Sequence, residues 1–306
     1  MNLRQIEYAL AVAETASFTR AAERCHTVQS ALSHQIARLE EELGAPLFER
    51  SSRRVRLTPA GSAFLPAARQ LLHAAQCVRD EVAAASGQVR GNLALGVISA
   101  LPQLDVVALA AAFQRSHPRV HASIAMGLSE ILLVDVLEHR LDVAFVGLWP
   151  GETLTDVQAL LLAEEPLMAV VAPSHPLAMR SALTLADLAP YPQVDYFAGS
   201  RARRQTDEAF AAAGSSRRIA FEIGHVELLA RLVRQGEAVG FMPTGTTAAY
   251  ADLTAIALTD APRRRVYCVW GQHPTPAAAA FVEAVRVHVA GSASPGLPSG
   301  HGSASM

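Results

Sequence analysis

Lysine is absent from this chain of 306 residues, in which all 26 basic residues are arginine. Arginine stays charged at any working pH, and its planar fork matches phosphate and carboxylate oxygens. The absence therefore removes the titratable amine from the candidate nucleophiles while leaving an anionic partner open. Cysteine is scarce: Cys25, Cys77 and Cys268 lie far apart with no C-x-x-C pair, which speaks against a disulfide framework and a zinc cage. No apolar run reaches the roughly 18–20 residues that a membrane span needs. The opening MNLRQIEYAL carries charge where a signal peptide would be apolar, so a cytoplasmic protein with no membrane partner is expected. The signatures G-x-S-x-G, H-E-x-x-H, Walker A and G-x-G-x-x-G are missing as well. No enzyme activity, catalytic residue, metal or cofactor is assigned.

What is present divides unevenly. The net charge of −2 hides a first ninety residues with 11 arginines against 9 acids, and a remainder with 15 against 19. The basic balance sits where DNA binding would place it. Leu3, Ile6, Leu10 and Ala13 recur at helical spacing, and Ser17 precedes a second short pattern of Phe18, Ala21, Ala22 and Cys25. With Thr27 as its expected N-cap, a third helix follows, its apolar stripe formed by Val28, Leu32, Ile36, Leu39 and Leu43 and its end set by Gly44. Opposite the stripe, the N-terminal end of that helix carries Gln29, Ser30, Ser33 and His34, short or planar hydrogen-bonding groups suited to base edges in a major groove. Glu40, Glu41 and Glu42 would be repelled by phosphate, so the other end should point away. In PLFERSSRRVRL, short runs around Phe48 and Val55 bracket Ser51-Ser52 as a hairpin. Arg50, Arg53, Arg54 and Arg56 make that hairpin a basic wing beside the recognition helix, fit to fix register on phosphates.

Residues 18–61, FTRAAERCHTVQSALSHQIARLEEELGAPLFERSSRRVRLTPAG, resemble the DNA-binding signature of LysR-type transcriptional regulators in residue order, spacing and turn positions. The resemblance implies that Gln29, Ser30, Ser33, the residue after it, and the wing arginine Arg53 contact double-stranded operator DNA. That following residue is commonly arginine in the family; here it is His34, with a shorter reach and a pH-dependent charge. RNA polymerase is a further partner that the family reading implies.

Thr58-Pro59 is a strong helix start, and Phe64, Ala68, Leu71, Ala75, Val78, Val82 and Ala85 follow at alternating spacings of four and three. That heptad seam predicts a linker helix over 59–87 that pairs with a second copy, giving a homodimer or, by the resemblance, a homotetramer. From Asn92 the pattern turns to alternating strands and helices, which implies βαβ crossovers and a mainly parallel sheet. Two such lobes resemble the periplasmic-binding-protein fold and the effector domain of LysR-type regulators. The predicted organisation is an all-α winged helix-turn-helix domain (1–58), the linker helix (59–87), and a two-lobed α/β domain (91–290) with lobe I at 91–163 and 267–290 and lobe II at 164–266. A Gly/Ser/Pro-rich tail (291–306) should be disordered. Ligands in open α/β sheets bind beyond the carboxyl ends of strands, which selects Ser99, Ser129, Trp149, Ser200 and Thr244 as cleft candidates. Arg201 could neutralise a carboxylate, so a small anionic effector is expected. A thiol-based redox regulator, a solute-binding receptor and an enzyme are the rival readings. The first would need two reactive cysteines in the sensory half, where only Cys268 lies.

Overall fold

The computed structural model describes residues 1–50 and 55–292, without the side chains of residues 50 and 292. The chain divides into two compact units, one of residues 1–88 with 137–140 and one of residues 89–136 with those from 141 onward.

The first unit opens with α1 (Leu3–Thr15), α2 (Phe18–Arg24) and α3 (Gln29–Leu43). Asn2 and Gln5 form a capping box on α1, and the Ser17 hydroxyl accepts from the Arg20 amide to start α2. Gly44, at φ 72°, takes the left-handed conformation that ends α3. Ala9, Val12, Ala21, Leu32, Ile36 and Leu39 interlock as a core that solvent does not reach. The N-cap of α3 is Val28 rather than the expected Thr27, and no side chain caps the helix. Val28 and Leu43, assigned to the apolar stripe, are 67% and 43% exposed. Val28 has extended backbone, φ −87° and ψ 144°, so its side chain leaves the helical stripe, while Leu43 is the last helical residue before Gly44.

β1 (Phe48–Arg50) and β2 (Val55–Leu57) pair antiparallel with Phe48 opposite Leu57. The wing is tied to α3 by Glu40, whose Oε1 accepts from the amides of Leu47 and Phe48 at 2.8 and 3.2 Å. α4 (Pro59–Ala85) starts as the sequence predicts, with the Thr58 hydroxyl accepting from Gly61 N. Position 61 admits only glycine, because a Cβ there would lie 2.1 Å from the Leu47 carbonyl oxygen. The seam of α4 is split. Ala68 is buried against Ile6 and Leu10, and Phe64, Leu65 and Leu72 pack on the same cluster. Phe64 and Ala68, expected on a partner-facing seam, are thus engaged by α1 of their own chain, whereas Leu71, Val78 and Val82 are 37%, 66% and 69% exposed and Ala75 is half-buried.

The second unit runs β3 (Gly91–Val97), α5 (Val106–Ser116), β4 (Val120–Met126), α6 (Ser129–Leu137), β5 (Val143–Leu148), β6 (Val157–Val171), β7 (Ala182–Leu183), α7 (Leu185–Leu188), β8 (Pro192–Tyr196), α8 (Arg201–Ala212), β9 (Arg218–Ile223), α9 (Val226–Arg234), β10 (Gly240–Pro243), α10 (Thr244–Thr247), β11 (Thr254–Leu258), β12 (Arg263–Gly271) and α11 (Pro276–Ser292). The main sheet has the order β4-β3-β5-β12-β6-β11-β7, with β10 also paired to β6, at residues 167–170, a stretch that overlaps the one β11 pairs with. β3 is parallel to β4 and β5, and β8 is parallel to β9, as βαβ units require. The rest departs from the mainly parallel expectation: β12 is antiparallel to β5 and β6, and β10 and β11 are antiparallel to β6. The chain leaves the first lobe along β6 and returns along β12, so these two crossover strands must run in opposite directions. Pairing with the whole of β12 also extends β6 back to Val157.

Each lobe has its own core. In the first, Leu93, Leu95, Phe113, Phe145 and Phe281 pack together, with Phe113 edge-on to Phe281. In the second, Leu167, Phe210 and Phe241 form one cluster and Val194, Leu229, Val233 and Met242 another. α11 continues through Gly291 and Ser292, the first two residues of the expected tail; residues 293–306 lie outside the described residues.

Candidate functional site

Two sites emerge, one in each unit. In the first, Gln29, Ser30 and His34 are exposed on the opening turns of α3 and Ser33 is half-buried beside them. They stand over the buried stripe of Leu32, Ile36 and Leu39, which fixes the helix that presents them. Glu41 and Glu42 are exposed at the opposite end of α3, leaving the N-terminal end free of acidic side chains. The backbone of Arg50 lies in β1; Arg53 and Arg54 fall outside the described residues.

In the second unit a cleft opens between the lobes, walled by Ser99, Ser129 and Glu130 from the first lobe, Tyr196, Gln205 and Thr206 from the second, and Arg264 from β12. The structure brings two of the predicted residues, Ser99 and Ser129, to this wall. The Ser99 hydroxyl accepts from Val226 N at 3.2 Å and lies 3.5 Å from the Tyr196 hydroxyl, so it joins one lobe to the other. Ser129 Oγ donates to the Gly147 carbonyl and accepts from its amide, at 3.1 and 3.0 Å, so it fastens the start of α6 to β5.

The other four predicted residues are not part of the wall. Ser200 caps α8 through Arg203 N, and Thr244 donates to the Pro166 carbonyl at 3.0 Å. The ring of Trp149 folds over Gly151, where a Cβ would collide with it. Arg201 is paired with Glu152, and its amide donates to Glu130 Oε2. Its charge is therefore committed to the first lobe.

Arg264, a residue that the sequence reading did not single out, is a cation on the wall of the cleft. It stands opposite Glu165 in the ladder between β12 and β6 and is 7% exposed. Nε and Nη2 donate to Glu165 Oε1 at 3.0 and 2.7 Å, and Nη2 also donates to the Ala100 carbonyl at 2.8 Å. Nη1 makes no hydrogen bond among the described residues, and the missing side chain of Gly147 leaves it room: a Cβ there would lie 3.6 Å from it. Burial holds the Tyr196 phenol above its ordinary range, so it stays a neutral donor. Asp195 is pushed up by burial and pulled back by Arg217, with Thr206 Oγ1 donating to it at 2.6 Å. The signal for Arg264 was present in the sequence as Glu164-Glu165 facing Arg263-Arg264-Arg265. Strand alternation turns the middle arginine inward, while Arg263 and Arg265 both pair with Glu164 outside.

These two sites, on these folds, match two family models. Residues 3–62 match the bacterial regulatory helix-turn-helix protein of the lysR family, and residues 86–290 match the LysR substrate binding domain. The chain belongs to the LysR family of bacterial transcriptional regulators. Among its relatives, the RuBisCO operon transcriptional regulator of Allochromatium vinosum is 29% identical over 299 residues, covering 94% of this chain and 98% of that protein. A point variant of full-length OxyR from Pseudomonas aeruginosa superposes with a TM-score of 0.75 at 26% identity, covering 94% of each chain. Full-length CbnR in complex with its target DNA gives 0.65 at 28% identity, covering 94% of this chain and 99% of that one. Among the described residues, no helix is long and apolar enough to cross a membrane.

Cys268 lies in β12 and is fully buried, and burial pushes its thiol up to about 12. A thiol that stays protonated is a poor nucleophile. Native protein titrated with Ellman's reagent at pH 8 should therefore release thiolate from Cys25 and Cys77 only, and Cys268 should react only after denaturation. Rapid labelling of Cys268 in the folded protein would reopen the redox reading.

Proposed function

We propose that the protein binds operator DNA as a dimer or tetramer, with the first turns of α3 in the major groove and the wing arginines Arg50, Arg53 and Arg54 on phosphate. A small molecule in the interlobe cleft changes that binding. Arg264 Nη1, which has no hydrogen-bond partner among the described residues and belongs to a side chain on the cleft wall, carries the sensory half of this reading, because a donor so placed can meet an acceptor on a ligand. We read the effector as bearing a carboxylate or carbonyl oxygen that meets Nη1, with Ser99 and the Tyr196 hydroxyl beside it. The complex of CbnR with target DNA supports the DNA-binding half by analogy. Action on chromosomal DNA places the protein in the cytoplasm, and regulation of transcription brings RNA polymerase into contact with it.

The two kinds of DNA contact should fail differently. Arg53→Ala removes a phosphate contact, so affinity should fall alike for operator and random DNA, and the slope of log K against log salt should shrink by roughly one. Gln29→Ala removes a side chain that can pair two-pronged with adenine, so discrimination at one base should fall by about 1–3 kcal/mol with the salt slope unchanged. One titration series reads both. A changed salt slope with intact base preference for Gln29→Ala would mean that α3 is rotated away from the bases.

The exposed part of α4 supports the oligomer. Leu71→Arg places a charge in the apolar strip that a second copy would cover, so sedimentation equilibrium should show monomer, and operator binding should be lost with it. A Leu71→Arg dimer of wild-type stability would remove α4 from the interface.

A further inference from the structure

α3 begins unlike the other long helices whose N-caps are described. Asn2, Ser17, Thr58, Asp105, Ser200 and His225 each cap α1, α2, α4, α5, α8 and α9 with a side chain. At α3 the N-cap is Val28, which offers no hydrogen bond. Valine is among the poorest N-cap residues, and this one also leaves two-thirds of its surface in water. Its branched side chain belongs to none of the buried clusters of the first unit and makes no cap hydrogen bond. It stands next to Gln29 and Ser30, on the end of α3 that carries the polar reading groups.

We propose that Val28 is a specificity-determining residue for DNA: its methyl groups take up the C5-methyl of a thymine at, or next to, the base pair that Gln29 addresses. Thymine is the one base that carries a methyl group on its major-groove edge, and small apolar side chains are what reads it. The cap that α3 lacks is offset only in the complex, where the methyl contact removes apolar surface of both molecules from water. Burying one methyl-sized group is worth roughly a fourfold change in binding constant, or about fifteenfold over the two half-sites of a dimer. The inference rests on α3 being the recognition helix.

Binding sites are selected from a random duplex library with the full-length protein. The enriched pool is then copied with dTTP or with dUTP, which differs only by the methyl group. Wild-type protein should bind the uracil pool about fifteenfold more weakly. Val28→Ser restores a capping hydroxyl and removes the methyls, so its melting temperature should equal or exceed the wild-type value while its preference for the thymine pool disappears. Val28→Thr keeps one methyl and should retain part of that preference. Equal binding of both pools by wild-type protein, or the same preference for thymine in Val28→Ser, overturns the proposal. Failure of the wild-type protein to enrich any sequence would instead strike at DNA recognition by α3.

Discussion

The buried pair of Arg264 and Glu165 stands where β12 and β6 carry the chain between the lobes, and most of the sensory unit depends on it. Glu165 accepts from Arg264, from Gln103 Nε2 at 2.6 Å in the first lobe and from Gly245 N at 3.2 Å at the start of α10 in the second. Arg264 in turn donates to Ala100. Removing either partner would strand a buried charge at a cost of about 3–5 kcal/mol. Such a pair is weak evidence for stability, since apolar replacements of similar volume often do as well. Its value here is positional: it holds a cation at the floor of the cleft with one nitrogen left over, and it ties that cation to backbone on both lobes.

A ligand that engages Nη1 would act on a group already bonded to both lobes, which gives a physical route from binding to lobe geometry. Ser99 with Tyr196 and Val226, and Arg201 with Glu130 and Glu152, are further contacts across the same cleft. They are polar and few, so modest differential affinity of a ligand for one lobe arrangement could shift the balance.

The sequence carried the fold further than the sites. The helix starts at Ser17 and Thr58 and the stop at Gly44 are legible because they rest on local chemistry: capping hydroxyls and glycine at positive φ. Strand direction was not legible. β10, β11 and β12 run antiparallel to β6 because of crossovers between lobes, which no local window contains. The same reason explains why the wall of the cleft differs from the residues expected there. Trp149, Ser200, Arg201 and Thr244 follow strands as cleft residues do, yet their side chains are claimed by Gly151, Arg203 N, Glu152 and the Pro166 carbonyl. Arg264 and Tyr196 sit inside strands, where a polar residue reads as surface until its partners across the sheet are known. Val28 and Ala68 exchanged roles in the same way: apolar periodicity marks what avoids water without saying whose surface covers it.

The central claim is that the cleft beside Arg264 receives the effector, and a ligand-bound crystal structure tests it most directly. A screen of small acids and aromatics by thermal shift would supply the compound, since a ligand at about 100 times its Kd adds about 2.7 kcal/mol of stability. The ligand should lie between the lobes with an oxygen in hydrogen-bonding distance of Arg264 Nη1 and with Ser99 and Tyr196 alongside. A stabilising ligand bound elsewhere, with the space between Arg264 and Gly147 filled only by water, would contradict it.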